Sequence, residues 1–115
     1  MRGDIYYADL GSALGSIQGG TRPVLIVQNN MGNMHAPTTI VCPITSAMKH
    51  RLPTHVNLNK SGGLVKESIV LCEQIMTINK HQLRNYIGSV DDPFLLGRIN
   101  KALNVSLGIS EEYVI

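Results

Sequence analysis

Arg22 stands where a glycine-rich loop meets an apolar run, in the segment QGGTRPVLIVQNN at residues 18–30. The apolar run predicts a strand, so a rigid backbone should carry a guanidinium that faces solvent on its loop side. Such a group can bind a carboxylate or a phosphate through paired N–H donors. An ordinary surface arginine, paired with a carboxylate and packed along its stem, explains the motif equally well, so both interpretations stay open.

Other side chains with reactive chemistry give weaker signals. Histidine is the usual acid–base group near neutral pH, but His55 lies in the alternating segment LPTHVNL, where stacking or hydrogen bonding is equally natural. The histidines lack the short spacings of zinc sites, and no carboxylates cluster beside them, so we predict no metal site. Cys42 and Cys72 lie in apolar runs, which favours buried thiols over a disulfide.

Short strands must supply most of the framework. The segments DIYYADL and LPTHVNL alternate as half-buried strands do, while TTIVCPIT is β-branched and short enough for a strand buried on both faces. ESIVLCEQIMTI predicts one further long strand, and RNYIGSV predicts another. Turn residues fill positions 29–37 and 61–63.

One helix is predicted near the end of the chain. Asp92 is a favourable N-cap before Pro93, and Gly108 suits a C-terminal cap, so the helix should run to about Leu107. Its apolar face should comprise Phe94, Leu95, Ile99, Ala102 and Leu103. A short helical turn is expected near Asn79. Short strands with one terminal helix indicate a mainly β fold, a small and strongly bent antiparallel barrel in which closure protects the strand edges.

Length and charge narrow the classes of protein further. A chain of 115 residues builds one core, so we expect a single domain over residues 1–115. The chain is 43% hydrophobic and 16% charged, which excludes a disordered tail, and a net charge of +2 gives at most mild attraction to polyanions. Neither a secretory signal nor a long apolar run is present, so we expect a cytoplasmic protein.

Five segments, in the same order and over nearly the whole chain, resemble the MazF/PemK family of toxin endoribonucleases: RGDIYYADL, QGGTRPVLIVQNN, TTIVCPIT, LPTHV and ESIVLCEQIMTI. The resemblance implies an SH3-like barrel with a C-terminal helix, a homodimer, and a cognate antitoxin whose acidic, partly disordered segment covers the RNA groove. It also implies sequence-specific cleavage of single-stranded mRNA without a metal or other cofactor.

Carried onto this sequence, the resemblance makes Arg22 and Thr45 the catalytic residues. The reaction it implies is attack of a ribose 2′-hydroxyl on the adjoining phosphate, which leaves a 2′,3′-cyclic phosphate and a 5′-hydroxyl. A guanidinium stays protonated near neutral pH and is a poor base, so we expect Arg22 to stabilise developing charge first and to act as a general acid second. Taken alone, Thr45 would be an ordinary strand residue.

The resemblance also suggests RNA contacts. Amide and hydroxyl groups can bind base edges, glycine backbone allows a nucleotide to approach closely, and basic side chains can steer the substrate. Each candidate could equally be a turn or strand residue. The candidates are Ser16, Gln18, Gly19, Gly20, Asn29, Ser46, Lys49, Arg51, Pro53, Thr54, His55 and Gln74.

Two alternatives from other functional classes remain. A gyrase poison of the CcdB type has a similar fold and acts by binding a protein, but it depends on a C-terminal tryptophan, and this chain contains no tryptophan. A non-catalytic RNA-binding module would use Arg22 only to contact phosphate. Such a module would retain RNA without forming a cyclic phosphate.

Overall fold

Seven strands and two α-helices make up the computed structural model, which describes residues 1–12, 15, 17–46 and 51–110. Two short 3₁₀ turns, Ser61–Gly63 and Lys80–Gln82, join strands. The strands and helices, in chain order, are β1 (Asp4–Asp9), β2 (Thr21–Ile26), α1 (Asn30–His35), β3 (Thr38–Ser46), β4 (His55–Asn59), β5 (Ser68–Leu71), β6 (Met76–Asn79), β7 (Leu83–Ser89) and α2 (Pro93–Ser106).

The strands form an antiparallel sheet in the order β4-β5-β3-β2-β1-β7, and β6 adds to β3 outside that order. The long strand β3 therefore has two halves with different partners. Its first residues pair with β6, and its last residues, Ile44 to Ser46, pair with β5. The mainly β fold with a C-terminal helix, as predicted from the sequence, is confirmed.

The two ends of this strand order meet through a glycine-lined contact. The Ser61–Gly63 turn that follows β4 packs on β7, and a Cβ added at Gly63 would lie 2.5 Å from the carbonyl oxygen of Ile87. A methyl group at Gly88 would overlap the carbonyl of Gly62. Gly62 and Gly63 also have positive φ angles, which glycine adopts without strain. This backbone-on-backbone packing brings the two ends of the strand order together, so the sheet curves back on itself.

Alternation along the strands divides the buried side chains between two clusters. The larger cluster includes Leu25 of β2 and Ile44 of β3, with Leu95, Ile99 and Ala102 of α2 packed over it. A smaller cluster on the other sheet face comprises Ala8, Val24, Ile26, Val41 and Ile78.

Cys42 and Cys72 are free and buried in the larger cluster, as predicted. A hydrogen bond to the Cys72 thiol, together with burial, raises the pKa of the Cys42 thiol. The Cys42 thiol therefore stays protonated in the core.

Several predicted elements have different boundaries. ESIVLCEQIMTI forms two strands instead of one, because the chain turns after Leu71 and the amide of Cys72 donates to the carbonyl of Thr54. The strand predicted in LPTHVNL begins only at His55. The turn region 29–37 contains α1, whose first turn is capped by the side chain of Asn29.

Helix α2 agrees closely with its prediction. Asp92 is the N-cap, its side chain accepts from the amide of Phe94, and Gly108 follows the helix with a positive φ. The prediction that Phe94 belongs to the apolar face is wrong. Phe94 is 86% exposed, and it shares a solvent-facing stripe of α2 with Arg98 and Lys101. No helix among the described residues is long and apolar enough to cross a membrane.

The contact between Gly88 and Gly62 gives a paired prediction. Gly88→Ala should lower the free energy of unfolding by about 1–3 kcal/mol, because a methyl group has no room beside the Gly62 carbonyl. Gly97→Ala should raise it by about 0.5–1 kcal/mol, because Gly97 lies inside α2 with open space around it. Urea denaturation of both variants measures the difference. Equal effects of the two substitutions would contradict the packing described.

Candidate active site

A cleft opens where β2 and β3 part. These strands pair only at Val24–Pro43, Leu25–Cys42 and Ile26–Val41. Two residues further in the same register, Arg22 would lie opposite Thr45, but the pairing of β2 with β3 has ended there, while β3 continues to pair with β5 along its other edge. Proline has no amide hydrogen to donate to a neighbouring strand, and both Pro23 and Pro43 lie at the point of separation.

The cleft has a volume of about 380 Å³, and both Arg22 and Thr45 line it. Its described lining carries two cations, Arg22 and Lys66, and no carboxylate. Five hydroxyl groups add hydrogen-bonding capacity, those of Tyr7, Thr21, Thr45, Ser46 and Ser68. Such a lining suits an anionic ligand with several oxygen atoms.

The guanidinium of Arg22 is oriented from behind by the preceding loop. Its Nε donates to the carbonyl oxygen of Gly19 at 2.9 Å, while its backbone pairs with Ala8 of β1. Within the described part of the chain, its two terminal nitrogens have no hydrogen-bond partner and the residue forms no ion pair. The paired donors are therefore available to a ligand.

The loop that orients Arg22 is itself held at two points. The amide of Gln18 donates to Oε1 of Gln74 at 3.0 Å. The amide of Leu10 donates to the carbonyl oxygen of Gly20 at 2.9 Å, and Gly20 has a positive φ. Gln74, in the turn between β5 and β6, thus supports the carbonyl that holds Arg22.

His55 lies away from this cleft in a filled hydrogen-bond network. Its side chain is 3% exposed, its Nδ1 accepts from the amide of Leu52, and its Nε2 contacts Oε2 of Glu73 at 2.8 Å. Because Nδ1 accepts, Nε2 carries the hydrogen and donates to the carboxylate. Thr54 donates to the other oxygen of Glu73 at 3.1 Å. This network fixes the start of β4 to the turn that carries Gln74.

The residues named from the sequence thus occupy different places. Arg22, Thr45 and Ser46 share the cleft, and Gln18, Gly19, Gly20 and Gln74 form the supported loop behind it. Asn29 caps α1, Arg51 is exposed, and Pro53 and His55 line a second depression beside Arg98 and Lys101 of α2. Thr54 is buried beneath that region. Ser16 and Lys49 lie outside the described residues.

Sequence reasoning missed four polar residues of the cleft: Tyr7, Thr21, Lys66 and Ser68. Tyr7 belongs to an ordinary alternating strand, and Lys66 follows the turn at 61–63 as one exposed cation among several. Their positions depend on the bending of the sheet, which no local pattern encodes. Among the residues that the structure describes, no three histidine, cysteine or acidic side chains come together as metal ligands.

The support of the loop by Gln74 can be tested by amide exchange. Gln74→Ala removes the acceptor of the Gln18 amide, so hydrogen exchange at Gln18 should accelerate by at least about tenfold, since loss of one hydrogen bond favours local opening. Gln82→Ala is the matched control, because Gln82 binds a different segment through the carbonyl of Asp9. Unchanged protection of Gln18 would show that the loop is held by other contacts.

Comparison with known proteins agrees with this architecture. The chain is 46% identical over 94% of its length to Endoribonuclease EndoA of Bacillus subtilis and covers 94% of that protein. It is 44% identical to Endoribonuclease MazF of Staphylococcus saprophyticus, with 94% of this chain and 91% of the relative covered. A solved mycobacterial endoribonuclease in complex with its cognate antitoxin superposes with a TM-score of 0.81 at 33% identity, covering 96% of both chains.

The family profile described as the PemK-like, MazF-like toxin of type II toxin–antitoxin systems matches residues 1–107. That match includes every described residue of the cleft. The chain belongs to the PemK-like, MazF-like toxin family of type II toxin–antitoxin systems.

Proposed function

We propose that this toxin is an endoribonuclease that cleaves single-stranded RNA at short sequence motifs without a metal ion. One observation carries the proposal: Arg22 and Thr45, from strands that have just separated, line one cationic cleft without a described carboxylate. The two curated relatives above bear endoribonuclease names, which favours RNA cleavage over gyrase inhibition.

The reaction is a transesterification within the RNA. The 2′-oxygen attacks the adjoining phosphorus, a P–O2′ bond forms, and the P–O5′ bond breaks. The 2′-hydroxyl loses its proton and the departing 5′-oxygen gains one, which leaves a 2′,3′-cyclic phosphate and a 5′-hydroxyl. Neither water nor a metal is consumed. The protein must orient the phosphate and stabilise the negative charge that grows on its non-bridging oxygens.

Arg22 and Thr45 supply donors for that charge. The terminal nitrogens of Arg22 are available, and the Thr45 hydroxyl lies in the same cleft. Each well-placed donor of this kind contributes about 3–4 kcal/mol to transition-state stabilisation. Protonation of the leaving 5′-oxygen is a second role for Arg22. Abstraction of the 2′ proton suits it least, because a guanidinium must first become neutral.

We further propose a homodimer, a cytoplasmic location where mRNA is found, and inhibition by an acidic antitoxin. The solved relative in complex with its cognate antitoxin supports the last point. The cationic cleft suits an acidic segment as well as it suits RNA, so the two ligands should compete. Of the other residues named as RNA contacts, Ser46 in the cleft and Gln18, Gly19 and Gly20 in the supported loop would bind bases or phosphates beside Arg22. Thr54 and His55, which are bonded to Glu73, would act only as support.

Substitution of Arg22 tests the catalytic proposal. In excess EDTA, Arg22→Ala should lower the cleavage rate by at least about 100-fold, and Arg22→Lys should restore little, because an ammonium lacks the paired donors. A 5′-labelled single-stranded oligonucleotide pool reports the rate, and mass spectrometry identifies the cyclic phosphate. Arg84→Ala, at an exposed position of β7 outside the cleft lining, is the control and should cut normally. Unimpaired cutting by Arg22→Ala would refute the assignment.

Competition and assembly can be measured together. Light scattering should give twice the 12.5 kDa chain mass, and purified antitoxin should raise the apparent KM for RNA while leaving the rate at saturating RNA unchanged. Inhibition that saturating RNA does not relieve would mean that the antitoxin acts away from the cleft. A monomer with full activity would contradict the dimer.

A further inference from the structure

Lys66 reaches the same cleft as Arg22 from another strand connection. In the strand order β3 lies between β2 and β5, and Ser46 of β3 pairs with Ser68 at the start of β5. Lys66 precedes Ser68 by two residues, whereas Arg22 belongs to β2. The two cations therefore approach the end of β3, where Thr45 lies, from its two sides.

The backbone that carries Lys66 is firmly anchored. Leu64 is 9% exposed and packs into the larger cluster, and Gly62 and Gly63 lie against β7. The buried hydroxyl of Ser68 donates to the carbonyl oxygen of Lys66 at 2.9 Å. These contacts fix the chain on both sides of an exposed lysine, so its position relative to Thr45 is set by the fold.

The ammonium group of Lys66 is available to a ligand. It forms no ion pair with any described residue, and its acidic neighbour Glu67 does not line the cleft. An ammonium on a flexible stem binds phosphate as a point charge, which complements the planar donors of an arginine. A cleft lined by two cations and several hydroxyl groups suits a ligand that carries two successive phosphates.

We propose that Lys66 binds the RNA phosphate adjacent to the scissile one, so that the cleft holds two consecutive backbone phosphates. The inference rests on the proposed function and adds a binding position to it. Lys66 contributes to holding the substrate, and Arg22 with Thr45 contributes to the chemical step. The lysine should therefore affect KM and the dependence on salt more than kcat.

Charge removal is the first test. Lys66→Gln should raise KM for a cleavable oligoribonucleotide about 5- to 20-fold, with kcat changed less than about twofold, because one charge-assisted contact is lost before the chemical step. The slope of log KM against log salt should fall by about 0.7, the value for one phosphate contact on a single strand. Lys60→Gln, an exposed lysine outside the cleft lining, should match wild type. Melting temperatures verify that both variants fold.

A neutral phosphate gives the sharper test. A methylphosphonate that replaces the phosphate adjacent to the scissile one should weaken RNA binding by wild type as much as Lys66→Gln does. In the Lys66→Gln variant, the same methylphosphonate should cause no further loss of binding. Methylphosphonates elsewhere should weaken both proteins equally. This cycle assigns the contact to one phosphate, because only interacting groups give non-additive effects.

Three outcomes would overturn the inference. Lys66→Gln could behave as Lys60→Gln while wild type still cleaves, which would remove this contact and leave the proposed function intact. Lys66→Gln could lower kcat with KM unchanged, which would place the lysine in the chemical step. It could also leave RNA kinetics unaltered and weaken antitoxin inhibition, which would assign the position to the antitoxin. If wild type cleaves no RNA, the proposed function fails as well.

Discussion

The separation of β2 from β3 is the constraint on which the candidate site depends. An unbroken ladder would place Arg22 and Thr45 opposite each other in a closed sheet, with no room for a ligand between the strands. Pro23 and Pro43 lack the amide hydrogens that would continue the ladder, and β3 remains paired with β5 along its other edge. The cleft therefore forms where β2 leaves one edge of β3, while the pairing of β3 with β5 along the other edge keeps Thr45 in the sheet.

Support from outside the cleft keeps Arg22 ready for a ligand. The bond from Nε to the Gly19 carbonyl uses the one guanidinium nitrogen that cannot contribute to the terminal pair of donors. The neighbouring residue Gln18 is held by a hydrogen bond from its amide to Gln74. Glu73, which precedes Gln74 in the sequence, binds His55. The histidine, an obvious acid–base candidate, instead belongs to the framework, at a distance in the fold from the cleft lining. A site without it must rely on charge stabilisation by cations and hydroxyls.

Much of the fold and part of the candidate site could be predicted from the sequence, and each feature that could not has an identifiable physical cause. Capping residues and helical spacing located α2, because those signals act within a few residues. The apolar content of residues 67–78 predicts one strand where the structure has two, β5 and β6. The chain turns after Leu71 because of a hydrogen bond to Thr54, which is far away in sequence. Lys66 was missed for the same reason: its place beside Thr45 follows from pairing between β3 and β5 and from glycine packing on β7.

The most direct test of the account is a crystal structure with a single-stranded oligonucleotide that contains its cleavage motif and carries a 2′-deoxy sugar at the scissile position. Without the attacking hydroxyl the strand stays intact. We expect the scissile phosphate in the cleft, with its non-bridging oxygens within hydrogen-bond distance of the terminal nitrogens of Arg22 and of the Thr45 hydroxyl. A strand bound elsewhere, with the cleft empty and Arg22 joined only to Gly19, would contradict it.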